Sequence, residues 1–390
     1  MKVIKVCSMS SEISIHPVNT PELKKQFLEF PYEFYRQDEN WRAPLRMERA
    51  DQINPKKNPG MKGLEVQFFL AKRNSKTVGR IAAIKNNNHL EHYKDDTGHF
   101  GYLDTEPDQT IVSALLNAAE TWIRERGLKK IVGPLNFSSN EELGQPISGF
   151  DTPPMLMMPY GRPETQEYVE ACGYVKEIDL QAYIAHIPDS YPHPEIVQKM
   201  VDIVEADSTT KIRHMDKKNF MHEVKTAMTV FNDAWSDNWG FIPFTDAQIT
   251  HIANDLKPVI VEQFFWVVEV EGKPAAFALL VPNVNEAAHG LDGKLFPFGW
   301  LKLLYRLKIK QVKSGRILLM GVKKEYQKTK LGLAMAAALS ANIFKQALDR
   351  GYHTVEMSWI LESNKSMIRI IKLGQGKLYK TYRIFKKDLH

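Results

Sequence analysis

The sequence predicts an α/β chain of two tandem domains of one kind, each a mixed, mostly antiparallel sheet flanked by helices, dividing into 1–190 and 191–390. Three observations predict it. Strand-type alternation and helical spacing succeed each other in the same order twice along the chain. The helix-ending stretches "RERGLKKI" and "LDRGYHTV" hold matching places, with Gly127 and Gly351 separated by 224 residues. At 390 residues the chain exceeds one simple core and fits two. The duplication is one of element order, since no strict short repeat of the solenoid kind is present.

In the first half, "SEISIHPV" alternates like an edge strand. "TPELKKQFLEFPYEFY" follows as a helix with a Thr cap and Pro in its first turn. After a Pro- and Lys-rich loop, "EVQFFLAKR" and "TVGRIAAIKN" form a hairpin across "NSK", and "TGHFGYLD" is a further strand. "DQTIVSALLNAAETWIRERG" carries Ile111, Leu115, Ala118 and Trp122 at helical spacing and stops at Gly127. Strand "KKIVGPLN", helix "PETQEYVEACG" and strand "YVKEIDLQAYIAHI" complete the half. The Pro-rich "HIPDSYPHPEI", around residues 186–195, supplies the boundary. In the second half, helix "FMHEVKTAMTVFNDAWS" precedes hairpin "FFWVVEVEGKPAAFALLVPN", which turns at Glu271 and Gly272. Strand "GRILLMGV", helix "LGLAMAAALSANIFKQALDRG", strand "HTVEMSWILE", helix "SNKSMIRIIKLGQG" and strand "KLYKTYRIFKK" follow.

With 43% hydrophobic and 25% charged residues, the composition is that of a soluble globular protein. A net charge of +6 over 390 residues does not by itself indicate nucleic acid, which is disfavoured as a partner. Two cysteines, Cys7 and Cys172, cannot build a disulfide framework or a four-thiolate metal site, so a reducing compartment is expected. The N-terminus lacks the apolar core of a signal peptide, and no window approaches the roughly 18 apolar residues of a membrane span. A cytoplasmic protein is expected, with peripheral contact at the inner membrane face left open.

The stretch "GVKKEYQKTKLGLAMAAALSANIFKQALDRG" reads as a strand end, a polar turn and a small-residue helix. A helix start offers unpaired N–H donors and partial positive charge, so anions bind there. Gly332 and Ala334 keep the helix start thin, and Lys328 and Lys330 add charge. The competing reading is an alanine-rich helix packed tightly on a sheet. Metal chemistry has little support: His89, His92 and His99 cluster loosely, without close ligand spacing.

"GVKKEYQKTKLGLA" followed by "RGYHTVEMSWILESN" resembles the acyl-CoA site of the GCN5-related N-acetyltransferase (GNAT) superfamily. There a Gln/Arg-x-x-Gly-x-Gly/Ala loop holds the CoA pyrophosphate. Gln327 matches its first position and Gly332 its last, while Lys330 replaces the first glycine. The whole chain resembles the bacterial ceramide synthase-like branch. Its marks here are "NPKKNP", "VGRIAAI", "GFDTPPMLMMPY", "AWSDNWGF", "LFPFGWLKLLYR" and "MSWILESN", and the likeness runs from about residue 31 to 386. The resemblance implies tandem GNAT-like domains with the acyl-CoA loop in the second alone. It implies acyl-CoA as co-substrate, no metal, and transfer of a long acyl chain to a hydrophobic, sphingoid-like or other lipid amine.

Carried over residue by residue, Met320, Gly321 and Val322 would pair with the pantetheine arm, and Gln327, Lys328, Thr329, Lys330, Leu331, Gly332 and Leu333 would surround the pyrophosphate. Asn364 corresponds to an asparagine that faces that arm, and Ile371 stands where many members carry a tyrosine acid. Glu356 on the next strand is the candidate base, against the alternative of a plain strand-end charge. Tyr379 and Tyr382 could replace the missing acid or simply pack. For the acceptor, "FNDAWSDNWGFIPF" offers Asp237, Asn238 and Trp239, and Asn283, Asn285 and Trp359 lie at other strand ends. The bland alternatives are a loop clamped by aromatics and Asx turns.

"KLFPFGWLKLLYRLKIKQVKSGR", residues 294–316, interleaves aromatic and aliphatic residues with Lys302, Arg306, Lys308, Lys310, Lys313 and Arg316. Such a stretch either lies in a membrane interface or packs its apolar stripe on its own domain. Two rival functions stand beside the acyltransferase. An aminoacyl-tRNA-dependent transferase of tandem GNAT fold would need a basic groove across both domains. A binding protein that kept the fold without catalysis would fit Lys330 and Ile371.

Overall fold

Each hairpin expected from the sequence forms, and a sheet assembles around it. The computed structural model describes residues 12–390, so Cys7 and the expectation of a leaderless N-terminus lie outside the described residues. Two spatial units emerge. The first runs to Leu180 and takes in Gly290–Lys294 and Lys380–His390; the second comprises Gln181–His289 and Leu295–Tyr379. The division predicted at 190 follows chain order, whereas the units are crossed by the chain inside two strands.

The first unit holds β1 (Ile13–Pro17), β2 (Leu64–Arg73), β3 (Lys76–Asn86), β4 (Thr97–Thr105), β5 (Lys130–Gly133) and β6 (Gln145–Ser148). Its helices are α1 (Pro21–Phe34), α2 (Arg46–Gln52), α3 (Asn87–Tyr93), α4 (Gln109–Arg124) and α5 (Glu164–Ala171). Strand β7 (Val175–His186) leads into the second unit. There follow α6 (Ile187–Ser190), α7 (Glu195–Ala206), β8 (Thr210–His214), α8 (Phe220–Trp235), α9 (Asp246–Leu256), β9 (Phe265–Val270) and β10 (Lys273–Pro282). The chain continues through α10 (Val284–Ala288), α11 (Gly299–Tyr305), β11 (Ser314–Val322), α12 (Lys324–Gln327), α13 (Lys330–Asp349), β12 (Thr354–Leu361) and α14 (Lys365–Leu373). Strand β13 (Lys377–Asp388) returns it to the first unit at Lys380.

The strands of each unit are arranged alike. In the first, β1, β2, β3 and β4 run antiparallel in order, and β4 then pairs parallel with β5 from Thr97↔Lys130 to His99↔Val132. β5 receives β13 antiparallel, Phe385 opposite Gly133. In the second, β8, β9, β10 and β11 are antiparallel neighbours, and β11 pairs parallel with β12 from Ser314↔Thr354 to Ile317↔Met357. A long helix links the parallel pair each time: α4 in one unit, α13 in the other. The short parallel ladder follows from that crossover, because a parallel connection needs a helix-length return.

Burial matches the spacing read from the sequence. Ile111, Leu115 and Trp122 of α4 enter one core, as predicted, with Phe69, Ile81 and Phe100 of the sheet. The alanines of α13 let it lie close on β9, β10 and β11, and eleven of its residues are buried. Among the described residues α13 is also the one helix long and apolar enough to cross a membrane. Its burial marks it as the core helix of this unit.

Candidate active site

Strands β11 and β12 stop pairing after Ile317 and Met357, although β11 continues to Val322 and β12 to Leu361. A break in register sits at the same level: Leu279 faces Leu319 and Leu280 faces Ile317, so Leu318 bulges from β11. Bulges bend a strand and end its pairing. Past this point, among the described residues, β11 has β10 on one side and no paired strand on the other. Leu318, Leu319 and Met320 are half-buried, as are Trp359, Ile360 and Leu361 of β12. An extended chain bearing amides can add to such an edge as a strand does, through main-chain hydrogen bonds. Met320, Gly321 and Val322 lie along it. Two of their carbonyls already accept from side chains: Trp235 donates its Nε1–H to Met320 O and Gln327 its Nε2–H to Val322 O, both at 2.9 Å.

β11 leads through α12 into the start of α13. Thr329 is the N-cap of α13, and its Oγ1 accepts the N–H of Gly332 at 3.0 Å. The other early donors of the first turn belong to Lys330 and Leu331. A Cβ at Gly332 would stand 2.0 Å from the carbonyl oxygen of Tyr326, so glycine is demanded here by the tight α12–α13 junction itself. Lys328 and Lys330 are exposed and in no ion pair among the described residues, and Leu333 is exposed beside them. Gln327 is a brace: its Nε2 donates to Ala234 O and Val322 O, both at 2.9 Å, tying the end of α8 to the end of β11. Asp233 adds a second tie by accepting the Lys324 N–H at 2.7 Å. The resulting start of α13 offers two backbone donors, helix-dipole charge and two unpaired ammonium groups, a fit for a phosphate-bearing ligand.

On the other face of the sheet lies a buried charged network. Val355 and Met357 point into the α13 core, so the strand's alternation turns Glu356 and Ser358 to the opposite side. Arg316 is the register partner of Glu356. Glu356 is 0% and Arg316 1% exposed, with Nε 3.4 Å from Oε1. Ser358 Oγ accepts from Arg316 Nε at 2.8 Å and donates to Glu356 Oε1 at 2.5 Å. Tyr379, half-buried on β13, donates its hydroxyl to Glu356 Oε2. Arg316 also lies over the ring of Trp359, 4.7 Å from its centroid, while the Trp359 Nε1–H is buried without a partner. The basic stretch 294–316 therefore ends in a residue that is not at the surface: burial by register against Glu356 overrides its place in a run of lysines. The sequence named Glu356 and Tyr379 separately and missed Arg316 and Ser358; a polar residue two positions from Glu356 was the available signal.

The acceptor candidates are scattered. Asp237 is exposed and pairs with Lys324 at 2.6 Å, and Asn238 turns the chain by donating its N–H to Trp235 O at 2.8 Å. Trp239 is half-buried. Asn283 stands at the N-cap position of α10 without a side-chain cap bond, donates to Ser314 Oγ at 3.0 Å and has its Oδ1 buried and unmatched, and Asn285 lies within α10. Asn364 caps α14, its Oδ1 accepting the Met367 N–H at 3.1 Å. Ile371 is core. In the first unit His89 pairs with Asp95 and packs edge-on to His99, ring centroids 4.8 Å apart.

The first unit closes the equivalent gap with its own chain. Past His99, Phe100 O accepts the Leu135 N–H at 2.8 Å and Tyr102 donates its N–H to Asn136 Oδ1 at 2.9 Å. Its helix α4 starts at a carboxylate, Asp108, which caps Thr110 and pairs with Arg73.

No family model matches the chain. It is similar to the bacterial ceramide synthase of Caulobacter vibrioides, 43% identical over 385 residues, covering 98% of this chain and 99% of that protein. It is also similar to protein YghO of Escherichia coli, 39% identical over 365 residues, covering 94% and 93%. Among solved structures, a tandem GNAT protein from the clavulanic acid biosynthesis pathway superposes with a TM-score of 0.55 at 12% identity, over 97% of this chain and 98% of its own. That last likeness concerns the fold. With a near-full-length relative at 43% identity and the tandem fold in place, the chain belongs to the bacterial ceramide synthase-like branch of the GNAT superfamily.

Proposed function

We propose that the chain transfers an acyl group from acyl-CoA to the nitrogen of a hydrophobic amine of the long-chain, sphingoid-like class. The observation that carries the proposal is the free edge of β11 running into the basic start of α13. Met320–Val322 would take the amide-bearing arm of the donor, and Lys328, Lys330 and the N–H groups of α13 its phosphates. The donor supplies an activated thioester carbonyl; the amine attacks it, the C–S bond breaks, and the thiolate leaves with a proton. Most of the rate comes from holding amine and thioester together.

The proton work falls to Tyr379 and Glu356. Glu356 is wholly buried and cannot touch a substrate, whereas Tyr379 is half-exposed and bonded to it. Tyr379 can take a proton from the amine on its hydroxyl oxygen as its own proton passes to Glu356, and return one to the thiolate. Arg316 and Ser358 hold the carboxylate in place for this exchange.

The test is release of free thiol and formation of an N-acylated product from a long-chain acyl-CoA and a long-chain amino alcohol, read by mass spectrometry. Tyr379→Phe should lower kcat by about a hundredfold or more with little change in KM. Product from neither short- nor long-chain donors with folded wild-type protein would reject the proposal.

A further inference from the structure

The segment between β10 and β11 carries an apolar surface that the chemistry above does not use. It consists of α11 and the π-helical turn Arg306–Lys310. Its inner side is anchored: Leu303 and Leu307, one helical turn apart, pack on the core, and Arg306 Nη1 donates to Ala287 O at 2.8 Å and His289 O at 2.6 Å. Its outer side is bare. Phe296, Phe298 and Ile309 are 71%, 73% and 72% exposed, and Trp300, Leu301, Leu304 and Tyr305 are exposed with them. Of the fifteen strongly exposed large apolar side chains among the described residues, these seven fall between positions 296 and 309, so this is a patch and not scatter. One stripe thus packs inward, as the second alternative read from the sequence has it, and another faces out.

Along the segment itself the charges have one sign. Lys302, Lys308 and Lys310 are exposed, and no Asp or Glu occurs between Asp292 and Glu325. We infer that residues 296–310 seat this protein in the interfacial layer of an anionic lipid bilayer, with the aromatic and aliphatic side chains among the acyl chains and the lysines at the headgroups. A second copy of the chain fits less well, because pairing the patch with itself would bring these lysines together. Protein interfaces are depleted in lysine, whereas membrane-surface helices are rich in it. The inference stands independently of acyl transfer, since a protein could dock here with any activity or none.

The experiment is co-sedimentation of the full chain with vesicles of phosphatidylcholine alone and of phosphatidylcholine with phosphatidylglycerol. Wild type should bind the anionic vesicles and release them as salt rises. A triple variant, Phe296→Ser with Phe298→Ser and Ile309→Ser, should bind at least about tenfold more weakly with an unchanged melting temperature. Lys308→Glu with Lys310→Glu should lose the preference for anionic lipid, and keeps the test open should the triple variant fail to fold. Wild type left in the supernatant with both compositions would overturn the inference. So would equal binding by the variants, or a wild-type dimer that the triple variant splits without vesicle binding, which would make the patch a protein interface.

Discussion

In the first unit, the strands that part after His99 and Val132 have the chain's own Leu135 and Asn136 between them; in the second, the strands that part after Ile317 and Met357 have no such backbone segment between them among the described residues. The helix that follows starts at an ion-paired carboxylate, Asp108, in one case and at Thr329 with Lys328 and Lys330 in the other. Same sheet, same crossover helix, opposite ends. The duplicated fold has kept its geometry twice, while among the described residues only the second unit joins an open strand edge to a basic helix start. A gap between parting strands has to be filled, because buried N–H and C=O groups left unpaired are costly. The first unit fills it with its own chain, and in the second the proposed acyl-CoA would fill it.

Close approach in the first unit gives the largest way to break this comparison. A Cβ at Gly101 would lie 2.0 Å from Leu135 O, a backbone atom with nowhere to go. Gly101→Ala should therefore destabilise the chain by upwards of about 3 kcal/mol in denaturant unfolding. At Gly321, on the open edge of the second unit, a Cβ would meet Ala234 Cβ and Phe277 at 3.2 Å, and Gly321→Ala should cost about 1 kcal/mol. Equal costs at the two sites would mean that the first gap is not filled as described.

A smaller effect sharpens it. The loop that follows Leu135 is pinned by Arg49 to Glu142 and by Gln52 to Glu141, the latter at 2.8 Å. Burial pushes the Glu141 carboxyl up to about 7 from its ordinary 4.5, against the Gln52 amide, with the charge of Glu142 adding to the rise. The folded state thus holds a proton that the unfolded chain releases. The associated stability is fully present below about pH 4.5 and is lost as pH rises through about 7. Glu141→Gln should flatten stability across that window by about 2 kcal/mol, measured by denaturant unfolding at stepped pH. An unchanged slope would remove Glu141 from the loop's energetics.

How far these differences were legible varies with their physical basis. Element order was legible because hydrophobic period and turn residues are local: hairpin β9–β10 turns where Glu271 and Gly272 stand, and α4 and α13 end before Gly127 and Gly351. The tight helix start at Gly332 was legible too, though its cause, the Tyr326 carbonyl, was not. What escaped depends on contacts between distant positions. Strand "KKIVGPLN" was read as continuous, but β5 stops at Gly133 and the rest turns aside to serve β4. Arg316 read as one lysine-like charge among many, and only the β11–β12 register reveals it as the buried partner of Glu356. Asn364 and Gln327 matched a ligand-binding pattern, and the structure shows their local work as helix cap and brace.

The most direct measurement is calorimetric titration of the chain with coenzyme A, taking stoichiometry as well as affinity. Wild type should bind one molecule per chain. Lys328→Glu with Lys330→Glu should weaken binding by about tenfold or more, while Asp108→Asn in the first unit should leave it unchanged. Two sites per chain, a response to Asp108→Asn, or binding indifferent to both lysines would place the ligand elsewhere and undo the contrast between a filled gap and an open one.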